Sequence, residues 1–252
     1  MNAGLMGKNN SKIRAFLERH LFALVTITLL LITIGFYILS DFISVDNSGE
    51  NLTINFATDR SESAFIDDDT FMGSEDSDVL IVEFGDFMCK FCGELHRDVE
   101  PLWRKDYIET GKAKYVFRDF ISADHEQAFP AAQASECADE QGKQWEMYDL
   151  LYDNAFSKDA WALIDEKQKL LAVFRKYALQ LNLYPKNFDN CMSNEEISNE
   201  IKQDIFAGLA TGVSGTPTIF IGNDETGFVK IRGAQPYSVY KQIIDEKLGE
   251  NQ

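Results

Sequence analysis

Cys89-Lys90-Phe91-Cys92 is the stretch of this sequence whose residue types and spacing point most directly to chemistry. A thiolate is a nucleophile, and two thiols that can join form a two-electron redox pair. The run Val79-Leu80-Ile81-Val82-Glu83-Phe84 just before it reads as a buried strand, and the pair stands where a helix opens. Two intervening residues let the sulfurs close into a small ring across the first helical turn. The first cysteine then lies at the positive end of the helix dipole, near free backbone N–H groups, and both stabilise a thiolate. Lys90 adds a cation in the same turn. Cys89 is therefore expected to be the nucleophile, and Cys92 the thiol that attacks a mixed disulfide and releases the product.

Two other uses of such a pair stay open, an inert structural disulfide and half of a metal site. A structural zinc site needs four ligands, usually with a second Cys or His pair at comparable spacing. The other cysteines are the single Cys137 and Cys191, and the histidines are His20, His96 and His125. No metal is expected on that spacing.

These groups need a scaffold. The elements expected in order are the strand at 79–84 and a helix from about Cys89 that bends or ends near Pro101. A strand follows at Lys114-Tyr115-Val116-Phe117. A long helical block comes next, with stripes at Trp145, Tyr148 and Tyr152, at Leu170, Phe174, Tyr177 and Leu181, and at Ile197, Ile201, Ile205 and Leu209. Such stripes read as core rather than as a cofactor box. Thr218–Ile221 and Phe228–Ile231 suggest a hairpin, and a last helix covers about 237–248. The fold class is α/β.

Ahead of this domain, Leu21 to Leu39 is a run of 19 residues without a charge. As a helix it spans roughly 28 Å, close to a bilayer hydrocarbon core. Lys8, Lys12, Arg14 and Arg19 precede it, and Asp41, Asp46 and Glu50 follow. The positive-inside rule then assigns 1–20 to a cytoplasmic tail, 21–40 to a transmembrane signal anchor, 41–70 to an acidic tether and 71–252 to an exported domain. A cleaved signal peptide is the competing reading, although Leu39-Ser40-Asp41 makes a poor cleavage site. Both readings export the domain to a compartment where disulfides persist. The expected location is the cell membrane, single-pass, with the domain on the extracytoplasmic side.

The 252 residues carry a net charge of −17, with 41 acidic and 24 basic side chains. Nucleic-acid binding needs Lys and Arg to displace counterions, so this balance argues against it. Four cysteines are too few for a disulfide-dense mini-protein and suit a redox pair plus one bridge.

Several motifs together carry a resemblance. They are Ile81-Val82-Glu83-Phe84-Gly85-Asp86-Phe87 leading into the cysteine pair, Phe117-Arg118-Asp119-Phe120, and His125 followed by Ala131-Ala132-Gln133-Ala134. Gln141-Gly142-Lys143, Gly212-Val213-Ser214-Gly215-Thr216-Pro217-Thr218 and Gly233-Ala234-Gln235-Pro236-Tyr237 continue the series. Over about 69–248 the chain resembles the DsbA-like branch of the thioredoxin superfamily. The resemblance implies a thioredoxin fold with an inserted helical subdomain at about 122–210. It implies that Thr216-Pro217 is a cis-proline loop facing the cysteines, where a client peptide adds as a strand. Some members carry a second disulfide in this region, which implies Cys137–Cys191, with two buried free thiols as the other reading.

Glu83 stands where the family keeps an acid beneath the active site. An acid in an apolar strand is costly to bury ionised, so its pKa should rise, which suits a proton relay to Cys92. The other reading puts Glu83 on an edge strand facing solvent, with Ile81 exposed beside it. Phe87, Met88 and Phe91 offer an apolar landing patch for clients, with Lys90 among them, although Phe87 serves equally well in the core. His96, one helical turn beyond Cys92, could act on the thiol electrostatically, but as a solvent-facing helical residue it needs no role.

The expected activity is extracytoplasmic thiol–disulfide exchange, chiefly dithiol oxidation of exported proteins. No cofactor is expected beyond the Cys89–Cys92 disulfide. The partners implied are reduced or misfolded exported proteins and a membrane redox protein, either a quinone-linked reoxidase or a reductase. A monomer is expected. The alternatives are a reductase or isomerase with the same site, and a non-catalytic thioredoxin-fold module that binds a metal or a client.

Overall fold

A computed structural model describes residues 65–66 and 69–249. The expected tail, membrane anchor and nearly all of the tether lie outside the described residues. Among the described residues, no helix is long and apolar enough to cross a membrane.

The centre is a five-stranded sheet in the order β1-β3-β2-β4-β5. The strands are β1 (Met72–Gly73), β2 (Val79–Gly85), β3 (Ala113–Asp119), β4 (Thr218–Asn223) and β5 (Gly227–Arg232). β2 lies in the middle, parallel to β3 and antiparallel to β4. A central strand is covered on both faces, which is why its sequence is a nearly continuous apolar run rather than an alternation. On one face Val79 and Ile81 pack with Leu95, Trp103, Tyr240 and Ile244. On the other, Leu80, Val82 and Phe84 pack with Phe65, Val213 and Phe220. Every residue of β2 is buried, so the edge-strand reading of Glu83 and the exposed position for Ile81 are both excluded. The two-residue β1, antiparallel to β3 at the sheet edge, has no sequence pattern long enough to announce it.

Helix α1 (Lys90–Asp98) follows β2, and α2 (Glu100–Trp103) follows at once. Pro101 lies in the first turn of α2, where its missing N–H costs nothing. The chain continues through a π-helical turn at Arg104–Ile108 into β3.

Between β3 and β4 lie α3 (Ala128–Asp139), α4 (Gln144–Ala155), α5 (Lys167–Gln180), α6 (Pro185–Cys191) and α7 (Glu195–Ala210). Ala131, Ala132, Ala134 and Ala138 make the buried face of α3 thin enough for its neighbours to approach closely, and Met147, Leu151, Trp161, Phe174 and Phe188 fill the space around it. Cys137 of α3 and Cys191 of α6 are joined by a disulfide with Cα atoms 5.6 Å apart. A buried ion pair ties this block to the sheet. Arg118 Nε of β3 donates to Asp204 Oδ1 of α7 at 2.7 Å, and Asp204 Oδ2 accepts the Asp119 N–H at 3.0 Å. The last helix, α8 (Tyr237–Lys247), returns beneath the sheet, where Tyr240 and Ile244 meet Trp103 and Ile81.

Candidate active site

The turn from β2 into α1 is fixed by Asp86, which is fully buried. Its carboxylate accepts the Met88 N–H at 2.8 Å and the Ser122 N–H at 2.9 Å, and lies 2.7 Å from His125 Nδ1. Its carbonyl accepts the Cys89 N–H at 2.9 Å. Cys89 is thereby set as the N-cap of α1, with extended backbone and no side-chain capping bond. The unpaired N–H groups of the first turn therefore face its sulfur.

Cys89 is 7% exposed and Cys92 1%. The two thiols are unlinked. The Cys89 thiol is brought down from 9.0 to about 6. The hydrogen bond from Cys92 is the largest cause. Burial opposes it, and contacts with Thr216 and the backbone N–H groups of Cys92 and Phe91 reinforce it. Cys92 moves the other way: burial pushes it well up, and its bond to Cys89 and the charge of Glu83 add to the rise. One thiol is poised to be a thiolate and the other to hold its proton.

The Thr216-Pro217 peptide bond is cis. This loop reaches the cysteines across 127 residues of sequence, and Cys89 Sγ lies 3.4 Å from Thr216 O. Glu83 is 1% exposed, on the same face of β2 as Val79 and Ile81. Burial raises its carboxyl well above the usual range. Glu100 adds to the rise, the Tyr115 hydroxyl opposes it, and both cysteines act on it as well. Tyr115 Oη donates to Glu83 Oε2 at 2.7 Å. The structure thus brings together Cys89, Cys92, Glu83 and Thr216-Pro217, and joins Cys137 to Cys191 in the helical block, whose buried core also takes in Cys89 and Cys92.

Other expectations change. The Lys90 ammonium is exposed and lies 3.6 Å from Glu94 rather than turned to the sulfur. Phe87 is core, with ring centroids 5.1 Å from Phe117 and 4.9 Å from Tyr152. Phe91 is 57% exposed beside the pair. Phe156, which carries no sequence signal, lies half-exposed over Gly93, where an added Cβ would come within 2.3 Å of its ring. His96 is not a solvent-facing residue. Its side chain is 12% exposed, stacks on Tyr152 with centroids 5.2 Å apart, and lies 3.1 Å from the buried Glu100 carboxylate. His96, Glu100 and Asp149 offer three metal-type ligand atoms within 4.8 Å of one another. The Arg104 guanidinium already donates to both of those carboxylates, at 2.7 Å and 2.9 Å, and supplies the cation there.

A dithiol at a helix N-terminus, over a buried acid and beneath a cis-proline loop, defines a thiol-exchange class of site. Comparison with known proteins agrees with this class. A thioredoxin family model matches residues 66–246. The crystal structure of Wolbachia pipientis α-DsbA1 aligns with a TM-score of 0.63 at 25% identity, over 73% of this chain and 93% of that one. Oxidised BdbD from Bacillus subtilis aligns with a TM-score of 0.59 at 24% identity, over 72% and 93%, a likeness of fold. A Rickettsia conorii protein, provisionally named a protein-disulfide oxidoreductase, is 26% identical over 162 residues. A Salinispora tropica protein named Na(+)/H(+) antiporter NhaA 3 is 33% identical over 156 residues. The aligned part is 56% of the Rickettsia protein and 22% of the antiporter. The chain belongs to the thioredoxin family, in its DsbA-like branch.

Proposed function

We propose that this chain is a thiol–disulfide oxidoreductase, and more specifically a dithiol oxidase that introduces disulfides into exported proteins. The observation that carries the reading is the split between the two thiols, Cys89 brought down to about 6 and Cys92 pushed up over Glu83. A stabilised Cys89 thiolate is a good leaving group and favours the reduced form, which makes the disulfide an oxidant. Relatives and neighbours named for disulfide chemistry support the reading.

In the proposed reaction a client thiolate attacks Cys89 of the oxidised pair. The Cys89–Cys92 bond breaks, and Cys92 leaves with its electron pair and takes a proton from Glu83. A second client thiolate then attacks the mixed disulfide, forming the client disulfide and expelling Cys89. The Thr216 carbonyl and the exposed ring of Phe91 position the client chain, and Lys90 lies at the rim. The cysteine pair itself carries the electrons. Reduced or misfolded exported proteins are the clients, and a membrane redox protein, a quinone-linked reoxidase in the oxidising direction, restores the disulfide. The chain works as a monomer held by a single N-terminal span, with the domain on the extracytoplasmic side. That location rests on the charge-free run at 21–39 and the basic residues before it.

The test is trapping and potential together. A Cys92→Ala variant should accumulate mixed disulfides at Cys89 with a reduced, unfolded client. The Cys89–Cys92 couple should titrate nearer about −120 mV, an oxidant's value, than about −270 mV, a reductant's. Failure to exchange with any dithiol or disulfide would overturn the enzyme reading. A potential at the reducing end would turn it into a reductase.

A further inference from the structure

The buried polar chain that begins at Glu83 continues well past Tyr115. Tyr115 Oη stands 3.1 Å from Tyr148 Oη, and Tyr148 Oη donates to Glu100 Oε2 at 2.9 Å. That same oxygen lies 3.1 Å from His96 Nδ1. On its far side His96 Nε2 lies 3.4 Å from Asp153 Oδ1, on a side chain that is 66% exposed. Glu83, Tyr115, Tyr148 and Glu100 are each at most 1% exposed. Buried polar groups cost stability unless every partner is supplied, so a line of four that ends in a carboxyl on each side is an expensive way to fill a core.

Resting on the redox reading above, we propose that Tyr115, Tyr148, Glu100 and His96 form a proton conduit that links Glu83 and Cys92 to solvent at Asp153. The chemistry balances with one hydroxyl proton on each tyrosine throughout. When Cys92 attacks a Cys89 mixed disulfide, the Cys89–Cys92 bond forms, the client sulfur leaves with its electron pair, and the Cys92 proton passes to Glu83. Once Glu83 is protonated, the Tyr115 hydroxyl turns from Glu83 towards Tyr148, so that Glu83 donates to Tyr115, Tyr115 to Tyr148, and Tyr148 to Glu100. A concerted shift reverses all three hydrogen bonds, leaving Glu83 ionised and Glu100 protonated. Glu100 hands the proton to His96 Nδ1, and the Nε2 proton leaves to Asp153 and water. When a client thiolate attacks Cys89 instead and Cys92 departs, the same chain runs inward.

The charges around the chain suit this traffic. Glu83 is faced by Glu100, Tyr115, Cys89 and Cys92, with Tyr148 and Tyr152 of α4 and Tyr240 of α8 also within its field. Glu100 is faced by His96 and Tyr148, and by the Arg104 guanidinium, whose Nε donates to Glu100 Oε1 at 2.7 Å. The Arg104 cation is bonded to Glu100, whereas among the described residues no cation is bonded to Glu83. The two carboxyls therefore stand in unequal surroundings, and the proton passes outward or inward as Cys92 loses or regains it.

A stopped-flow experiment on the reduced full chain tests the conduit. Dithiobis(nitrobenzoate) releases one nitrothiolate when Cys89 attacks it, and a second when Cys92 resolves the mixed disulfide. Tyr115→Phe and Tyr148→Phe keep the rings and delete the shared protons. Both should leave the first release unchanged and slow the second by at least about tenfold between pH 6 and 8, a loss at or below the usual range for proton transfer. His96→Gln should slow only the second. Tyr152→Phe, which removes a buried hydroxyl with no hydrogen-bond partner among the described residues, should match the parent in both. An undiminished second release in both tyrosine variants, or equal slowing in Tyr152→Phe, would overturn the conduit alone. If the parent released neither nitrothiolate, the redox reading would fall and take the conduit with it.

Discussion

Cys89 and Cys92 are the same residue type three positions apart, and their environments drive their thiols in opposite directions. Cys89 caps a helix and meets donors, whereas Cys92 is sealed against Glu83. Iodoacetamide should therefore modify Cys89 alone near neutral pH, with a rate that rises through a midpoint of about 6. The same shift has a stability consequence. A thiol whose folded pKa lies below its ordinary 9.0 stabilises the reduced fold in full above pH 9, and that contribution is lost as the pH falls through about 6. At pH 7 it is worth about 1 kcal/mol. Denaturant melts of reduced parent and Cys89→Ser should converge at pH 5 and separate at pH 8. The pair was legible at this scale because a C-x-x-C after an apolar run is a local pattern. The burial of His96 was not, since one histidine on a polar helix has no periodic neighbours to report which side faces in.

The elements follow from their sequence where they are regular. β2 reads as a nearly continuous apolar run because it is central, and Glu83 is the acid that interrupts it at the site. The β4–β5 hairpin depends on a position with no side chain. A Cβ on Gly222 would lie 2.1 Å from the Gly227 carbonyl oxygen, a backbone atom that cannot turn aside. Gly222→Ala should force the strands apart and cost about 1–3 kcal/mol, read as a lower denaturant midpoint. Gly215→Ala, where a Cβ meets nothing within 4 Å, should stay within about 0.5 kcal/mol of the parent. The stripe at Trp145, Tyr148 and Tyr152 on α4 was legible as core, which it is. That the Tyr148 hydroxyl would bond a second carboxylate was not, because a hydrophobic stripe records burial and says nothing about where a polar tip ends.

At the scale of the whole molecule, the helical block is held in two ways, by the Cys137–Cys191 bridge within it and by the Arg118–Asp204 pair to the sheet. The bridge spans a sequence separation of 54. In the chain-entropy model a loop of that size is worth about 4 kcal/mol. A Cys137→Ala/Cys191→Ala double variant should unfold at a correspondingly lower denaturant concentration. Its nitrothiolate release from Cys89 and Cys92 should persist under native conditions, because the bridge joins α3 to α6 while the redox pair sits at the turn from β2 into α1. A loss of that release with the fold intact would show that the block, and not only the sheet, sets the thiols.

The cysteine pair, the strand before it, the helical block, the closing hairpin and the family motifs are legible in the residues alone. Each of these is written in neighbouring residues or in a short period. It takes the folded chain to set the Cys89 and Cys92 thiols apart, to lay Thr216 over Cys89 from 127 residues away, and to turn Lys90 to Glu94. It alone brought Tyr115, Tyr148, Glu100 and His96 into line behind Glu83. The physical reason is that a pKa or a buried hydrogen bond depends on what is packed around a group. That packing is set when the chain folds back on itself, over distances that no local pattern encodes.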